Sequence, residues 1–170
     1  MLIRPERPSE FAAIRDLVKT AFATARISHG DEQDFVDRLR AGPDYIPDLA
    51  LVAEDDGGLI GHIMLTHTYV STAAGPRSLL LLAPLCVALE RRNRGVGARL
   101  TGEALRRARE LGHHAVTLVG NPAYYARFGF RPSTAFGIVN ENEIPSEFVM
   151  TLELTPGALA GAAGSIRFAT

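Results

Sequence analysis

Apolar positions recur along this chain with two periods, and the switches between them outline its elements. Phe11, Ile14, Leu17, Val18, Ala21 and Phe22 fall three and four apart, the spacing of one helix face. Ser9 is the expected N-cap of that helix. After a break at His29-Gly30-Asp31, the residues Phe35, Val36 and Leu39 predict a second helix, ended by Gly42-Pro43. A third stripe, Val96, Leu100, Ala104, Ala108 and Leu111, predicts a helix to about Leu111 with Gly112 as its C-cap. Glu103 and Arg107 pair across one turn on its outer face. Pro122 to Phe128 reads as a short helix stopped by Gly129.

Strands are expected at Leu2–Arg4, Leu49–Glu54, Leu59–Val70, Arg77–Leu89, Ala115–Val119, Phe136–Val139 and Phe148–Leu154. Asp55-Asp56-Gly57-Gly58 between two of them is a hairpin signal. Arg77–Leu89 is almost continuously apolar in its second half, as a strand buried on both faces is. The order is β-α-α-β-β-β-α-β-α-β-β. Only the helix after Gly97 provides a crossover, so the strands on either side of it should run parallel in a mostly antiparallel sheet. The expected class is α/β, one domain over residues 1–170, with a Gly/Ala-rich tail from Pro156 lying loosely over the surface.

Composition narrows the function classes. At 170 residues, 46% hydrophobic and 22% charged, the chain is an ordinary globular domain. A formal net charge of −1 advertises neither nucleic acid nor an anionic membrane as a partner. Cys86 is the single cysteine, so no disulfide forms within the chain, and a reducing compartment is expected. The start, MLIRPERPSEF, lacks the apolar run of a signal peptide. The longest apolar run, Ser78–Leu89, contains Pro84 and is too short to span a bilayer. A cytoplasmic protein is expected.

The stretch Glu90–Leu100, ERRNRGVGARL, sets four arginines around two glycines where a buried strand feeds a helix. The first N–H groups of a helix lack intrahelical acceptors, and the helix dipole adds positive potential there. Gly95 and Gly97 admit close approach to the main chain, and Arg91, Arg92 and Arg94 add charge. This combination suits a pyrophosphate. The dinucleotide fingerprint would need a third glycine where Leu100 stands. The Gly-Lys-Ser/Thr of a P-loop is missing. The spacing that fits is Arg92-x-x-Gly95-x-Gly97. With Leu85-Cys86-Val87 before it and Tyr125-Ala126-Arg127-Phe128-Gly129-Phe130 after it, the chain resembles the GNAT superfamily of acyl-CoA-dependent N-acetyltransferases. The segment Asn121–Phe130 and the tail Leu152–Leu159 are similar to a bacterial branch of small members.

The resemblance implies acetyl-CoA as co-substrate, no metal, and acetyl transfer to a primary amine of a small-molecule or peptide acceptor. It implies that the backbone of Leu85, Cys86 and Val87 pairs with the pantetheine arm and that an N–H at Leu85 or Val87 polarises the thioester. Arg92, Asn93, Arg94, Gly95, Val96, Gly97 and Ala98 would hold the pyrophosphate. Tyr125 would protonate the leaving thiolate, with Tyr124 beside it as the competing candidate. Pro84, lacking an N–H, would favour a bulge that splays the strand. A second copy of the chain is an optional partner. Nucleic acid and membrane are not expected partners.

Two departures from the family pattern stand out. Where many members carry Asn seven residues before the tyrosine, this chain has Leu118; Asn121 lies closer and is the substitute candidate for a cofactor contact. Many members also have a glutamate base on the strand before the glycine turn, yet Leu79–Val87 holds neither acid nor histidine. That gap leaves open an acyl-CoA-binding module without catalysis. Cys86 reads as core. His62 and His67, five apart, face opposite sides, and His113-His114 follows a helix; structural or solvated roles suit all four. Asp31, Glu32, Asp34 and Asp37 suit dipole compensation at a helix start, while His29, Glu32 or Asp34 is a candidate to meet the acceptor. Glu54 belongs to a hairpin tip.

Overall fold

A computed structural model of the chain describes residues 1–25 and 28–169. It is a mixed α/β fold with a mostly antiparallel sheet, and it divides into two compact units. One comprises Met1–Thr66 with Ala83–Arg107, the other His67–Leu82 with Ala108–Thr170.

The first unit begins with β1 (Leu2–Pro5), α1 (Phe11–Phe22), α2 (Glu32–Ala41) and β2 (Ala50–Asp55). Next comes the start of β3 (Gly58–Thr72). β1 pairs antiparallel with β2 from Leu2↔Glu54 to Pro5↔Leu51, and β2 with β3 from Ala50↔Met64 to Asp55↔Gly58. The hairpin turns at Asp56 (φ 50°) and Gly57 (φ 75°). Two successive positive φ angles are what a two-residue primed turn requires, which is why Asp-Gly stands there.

Ile14, Val18 and Ala21 of α1 and Val36 of α2 bury into one cluster with Ala50, Val52, Met64 and Cys86. Ser9 is not the N-cap of α1. Pro8–Glu10 forms a 3-10 turn instead, and Glu10 is the capping residue without a side-chain capping bond. Beneath the helices lies a buried polar group. Glu6 accepts from Arg40 Nε (2.8 Å) and Nη2 (3.0 Å), from the Tyr45 hydroxyl (2.8 Å), and lies 2.9 Å from His62 Nε2.

Through its last residues β4 (Gly75–Val87) also belongs to this unit, as does most of α3 (Val96–Glu110). Gly61 explains how closely α3 approaches the sheet. A Cβ there would stand 2.7 Å from Leu100 Cδ1 and 3.2 Å from Val96 Cγ1. The predicted stripe is buried at Val96, Leu100, Ala104 and Ala108, joined by Leu105. Leu111 departs from it: the helix ends at Glu110, and Leu111 is 49% exposed. Gly112 (φ 86°) caps the helix as expected, with its N–H on Arg109 O and that of His113 on Ala108 O.

In the second unit β4 runs parallel to β5 (Ala115–Val119) at Leu80↔Val116 and Leu81↔Thr117, the parallel pair expected across the α3 crossover. The unit continues with α4 (Pro122–Tyr125), β6 (Arg131–Pro132), β7 (Ile138–Asn140), β8 (Val149–Glu153) and β9 (Gly164–Ile166). β8 lies antiparallel between β5 and β6.

Three expectations change here. The strand placed at Phe136–Val139 is split: Ser133–Phe136 is a 3-10 turn, and β7 starts after Gly137 (φ 74°), a conformation that interrupts a strand. The closing strand begins at Val149, because Ser146–Phe148 is another 3-10 turn. The tail is not loose. β9 pairs antiparallel with β3 at Ser71↔Ser165 and parallel with β7 at Ile138↔Gly164. Ala162 and Ile166 are buried, and Arg77 donates to Ala158 O and Ala160 O.

Candidate functional site

In the first unit, β4 ends at Val87, and the N–H of Ala88 donates to Ile60 O. A 3-10 turn over Leu89–Arg91 then leads into the glycine-rich stretch. Asn93 (φ 61°) and Gly95 (φ 80°) are both left-handed, and Val96 opens α3. The first bond closing the helix runs from Arg99 N to Gly95 O at 3.1 Å. The N–H groups of Val96, Gly97 and Ala98 therefore precede any intrahelical acceptor. Left-handed residues leading into a helix turn successive N–H groups toward one concavity, an arrangement that binds anions. Among the described residues, its two chain neighbours aside, no atom lies within 4 Å of a Cβ placed on Gly95, so the space over this turn is open.

The four arginines of the stretch have different engagements. Arg91 Nη1 donates to Asp55, and the same guanidinium lies 3.8 Å from Asp56. Arg92 Nη2 donates to Ala21 O at 2.6 Å, close to the C-terminal end of α1. Arg94 and Arg99 are exposed.

Upstream, Leu85 and Val87 are half-buried, while the Cys86 side chain lies in the α1–α2 cluster. Burial pushes its thiol up to about 12, against smaller effects of the His62 backbone and Arg92. This sulfur stays protonated and inert at neutral pH, as expected of core packing. The Ala83–Pro84 peptide bond is cis.

In the second unit, β5 runs out into Gly120 and Asn121. Asn121 Oδ1 accepts from Ala123 N at 2.9 Å and caps α4, with Pro122 at its first position. This cap sets up Tyr125. A Cβ on Gly120 would come 2.6 Å from Tyr125 Cε2, so the glycine leaves the space that the ring fills. Phe130 packs against the same ring at 5.8 Å and Tyr124 at 4.9 Å. Burial, then the neighbouring Tyr124, raises the Tyr125 pKa above the ordinary tyrosine value. The Tyr124 ring is instead overlain by the Arg127 guanidinium at 4.5 Å. Of the two tyrosines, Tyr125 is the one seated against the end of β5.

The acidic candidates near α2 are held in local bonds. Asp34 and Asp37 both accept from Arg15 at 2.6 Å. Glu32 Oε1 accepts from the N–H of His29 at 3.1 Å. Burial raises the Glu32 pKa, but bonds from Ser28 and from backbone N–H groups outweigh it, and the net shift is downward. Glu54 pairs with Arg4. His62 is fully buried on Glu6, whereas His67 is exposed, its ring tilted against that of His113 with centroids 5.6 Å apart.

The structure thus gathers Leu85, Cys86 and Val87 with Arg92–Ala98 in one unit, and Asn121 with Tyr125 in the other. Gly61, seating α3, and Gly120, seating Tyr125, escaped the sequence reading. An isolated glycine inside or just after a strand was the available signal. Among the described residues no group of three or more His, Cys, Asp or Glu is placed to hold a metal ion. Among them, too, no helix is long and apolar enough to cross a membrane.

Known proteins resemble this chain in sequence and in fold. The profile of the acetyltransferase (GNAT) domain matches residues 2–133. YhbS of Escherichia coli K12, named an uncharacterized N-acetyltransferase, is 34% identical over 134 residues, covering 76% of this chain and 73% of that one. YjhQ of the same strain, also named an uncharacterized N-acetyltransferase, is 32% identical over 124 residues, covering 73% of this chain and 66% of that one. The crystal structure of YhbS in complex with CoA matches with a TM-score of 0.86 at 28% identity, over 99% of this chain and 89% of that one. A GNAT family acetyltransferase from Brucella melitensis, in complex with acetyl-CoA, matches with a TM-score of 0.73 at 31% identity, over 91% of this chain and 88% of that one. The profile match extends over most of the chain, and the chain belongs to the GNAT family of acetyltransferases.

Proposed function

We propose that the protein transfers the acetyl group of acetyl-CoA to a primary amine of a small-molecule or peptide acceptor, by direct attack. The observation that carries this reading is the open turn in which Asn93 and Gly95, both left-handed, lead into α3. In this reading the N–H groups from Asn93 to Ala98 hold the pyrophosphate. Arg92 and Arg94 add positive potential to them. Leu85, Cys86 and Val87 offer main-chain groups to the pantetheine arm. A Leu85 or Val87 N–H meets the oxygen of the thioester carbonyl, where negative charge develops.

The amine nitrogen forms the new C–N bond, the C–S bond breaks, and Tyr125 gives its proton to the departing sulfur. A raised pKa suits that role, because the hydroxyl stays protonated at neutral pH. Asn121 acts through its capping bond, which positions Tyr125. The amine's own proton leaves through water or a residue off β4, since Leu79–Val87 carries no acid or histidine. The reading goes with a cytoplasmic location, where acetyl-CoA is available.

Thermal melting with and without acetyl-CoA tests this. At about a hundredfold over its dissociation constant a ligand stabilises by roughly 2.7 kcal/mol. The shift is expected in the wild type and not in Gly95→Glu, which places a carboxylate in the turn. No shift at millimolar acetyl-CoA overturns the reading.

The bare strand Leu79–Val87 favours one second reading, an acyl-CoA-binding module without turnover. CoA release across a wide amine panel separates the two: binding without release supports the module.

A further inference from the structure

We infer that His62, oriented by Glu6, takes up the acceptor amine's proton through internal water, an inference that rests on the acetyl-CoA reading above. The segment Leu79–Val87 of β4 has no acid or histidine. The strand beside it does. β3 is the neighbour of β4, and the N–H of Ala88 donates to Ile60 O. Two residues further in along each strand, His62 comes level with Cys86, at the usual strand spacing of about 4.8 Å. A Cβ on Gly61 would meet Cys86 O at 3.2 Å, and the Cys86 thiol senses the His62 main chain.

The protons of the Glu6–His62 pair can be assigned. Burial works against the Glu6 carboxylate, but bonds from His62, Arg40 and Tyr45 bring its pKa to about 2. Ionised at neutral pH, it can only accept. His62 Nε2, 2.9 Å away, therefore carries the hydrogen, and in the neutral ring Nδ1 keeps a lone pair. Nδ1 is buried and has no hydrogen-bond partner among the described residues. Thr66 Oγ1, on the same face of β3, is buried without one too. Two such atoms on one strand face suit ordered water. A carboxylate that fixes an imidazole by one nitrogen leaves the other to take a proton. The other ionisable groups around the pair do not compete. Arg40 stays charged, with Asp37 behind it, and burial keeps Tyr45 and Cys86 protonated. α1 adds only apolar side chains to the adjoining cluster.

The acceptor ammonium passes one proton to a water, and the water passes one to Nδ1. The imidazolium so formed faces the Glu6 carboxylate. The free amine attacks, the C–N bond forms and the C–S bond breaks. The nitrogen's surplus proton replaces the one that Tyr125 gives to the sulfur. The His62 proton goes to solvent as CoA leaves.

CoA release from acetyl-CoA with the fastest amine of the panel tests this, in the wild type and in His62→Gln, from about pH 6 to about pH 10. Glutamine keeps an N–H for Glu6 but takes no proton. Its kcat should fall about a hundredfold at neutral pH. The gap should close toward about pH 10, where an amine sheds its own proton. The melting shift with acetyl-CoA should stay. An unchanged kcat, or a loss equal at every pH, overturns the inference and leaves the acetyl-CoA reading standing. If His62→Gln does not fold, the wild-type profile decides. A kcat that levels off below the amine's own pKa supports the inference, and one that climbs about tenfold per pH unit up to that pKa overturns it. A wild type that shows no melting shift, or binds acetyl-CoA without turnover, overturns the transfer reading and the inference with it.

Discussion

Gly120 lies against the ring of Tyr125 so closely that a single added methyl would stand 2.6 Å from Cε2. The position of the tyrosine is therefore set by a residue that contributes no side chain. Gly120→Ala should push the ring off its seat while leaving the fold intact. With a reacting group displaced by about an ångström, kcat should fall roughly ten- to a hundredfold. Steady-state kinetics with a competent amine checks this, and KM for acetyl-CoA should move little.

Tyr125→Phe keeps the ring and its contacts with Phe130 and Tyr124 but removes the proton. Loss of a general acid lowers kcat by about 10²- to 10⁴-fold, with little change in melting temperature. Burial raises this hydroxyl's pKa, so the donor form persists as pH rises through the range where a solvent-exposed tyrosine ionises. The wild-type rate should show no loss from tyrosine ionisation up to about pH 10, the unperturbed value. An alkaline limb well below that pH, absent in Tyr125→Phe, would contradict the assignment.

Glu6 makes stability dependent on acid. Burial alone would raise its pKa, but bonds from His62, Arg40 and Tyr45 outweigh it and bring the value down from 4.5 to about 2. A carboxylate with a depressed pKa contributes its full stability above the unfolded value and loses it as pH falls through the folded one. The loss should thus run from about pH 4.5 down toward pH 2. Glu6→Gln removes the buried carboxylate facing Arg40, which then keeps Asp37 at 3.0 Å, and should cost about 3–5 kcal/mol at neutral pH. It should also flatten the acid limb, as urea unfolding at several pH values would reveal.

Gly61→Ala crowds the first turn of α3, where Leu100 and Val96 lie at 2.7 and 3.2 Å from the added carbon. Overpacking of this kind costs about 1–3 kcal/mol. Because the same turn follows Gly95, the melting shift produced by acetyl-CoA should shrink as well. A variant that loses stability but keeps the full ligand shift would separate the packing of α3 from the shape of the turn.

Features written in local residue chemistry were legible in the sequence. The Asp55–Gly58 hairpin could be read because Asp-Gly tolerates the positive φ angles found there. α3 could be read from its stripe and its capping glycine, and the turn before it from the spacing of Arg92, Gly95 and Gly97. What stayed hidden depends on partners remote in sequence. Glu6 meets His62 across 56 positions, and no local pattern announces it. Ser9 lost its expected cap because Pro8 draws the chain into a 3-10 turn. β9 was missed because three residues flanked by Gly and Ala carry too little periodicity to declare a strand.

β9 has a consequence for where the chain tolerates cutting. Gly164 fits beside β3 only because it lacks a side chain: a Cβ would fall 2.0 Å from Ser71 O. With β9 in place, Ser71 and Thr72 of β3 and Ile138–Asn140 of β7 have their neighbour. A truncation before Gly164 would strip both strands of that partner and leave open backbone edges, the kind that recruit strands from other molecules. A tail that looks dispensable by composition is thus a guard against self-association, and shortened forms of this protein should aggregate before they lose any residue of the glycine-rich turn.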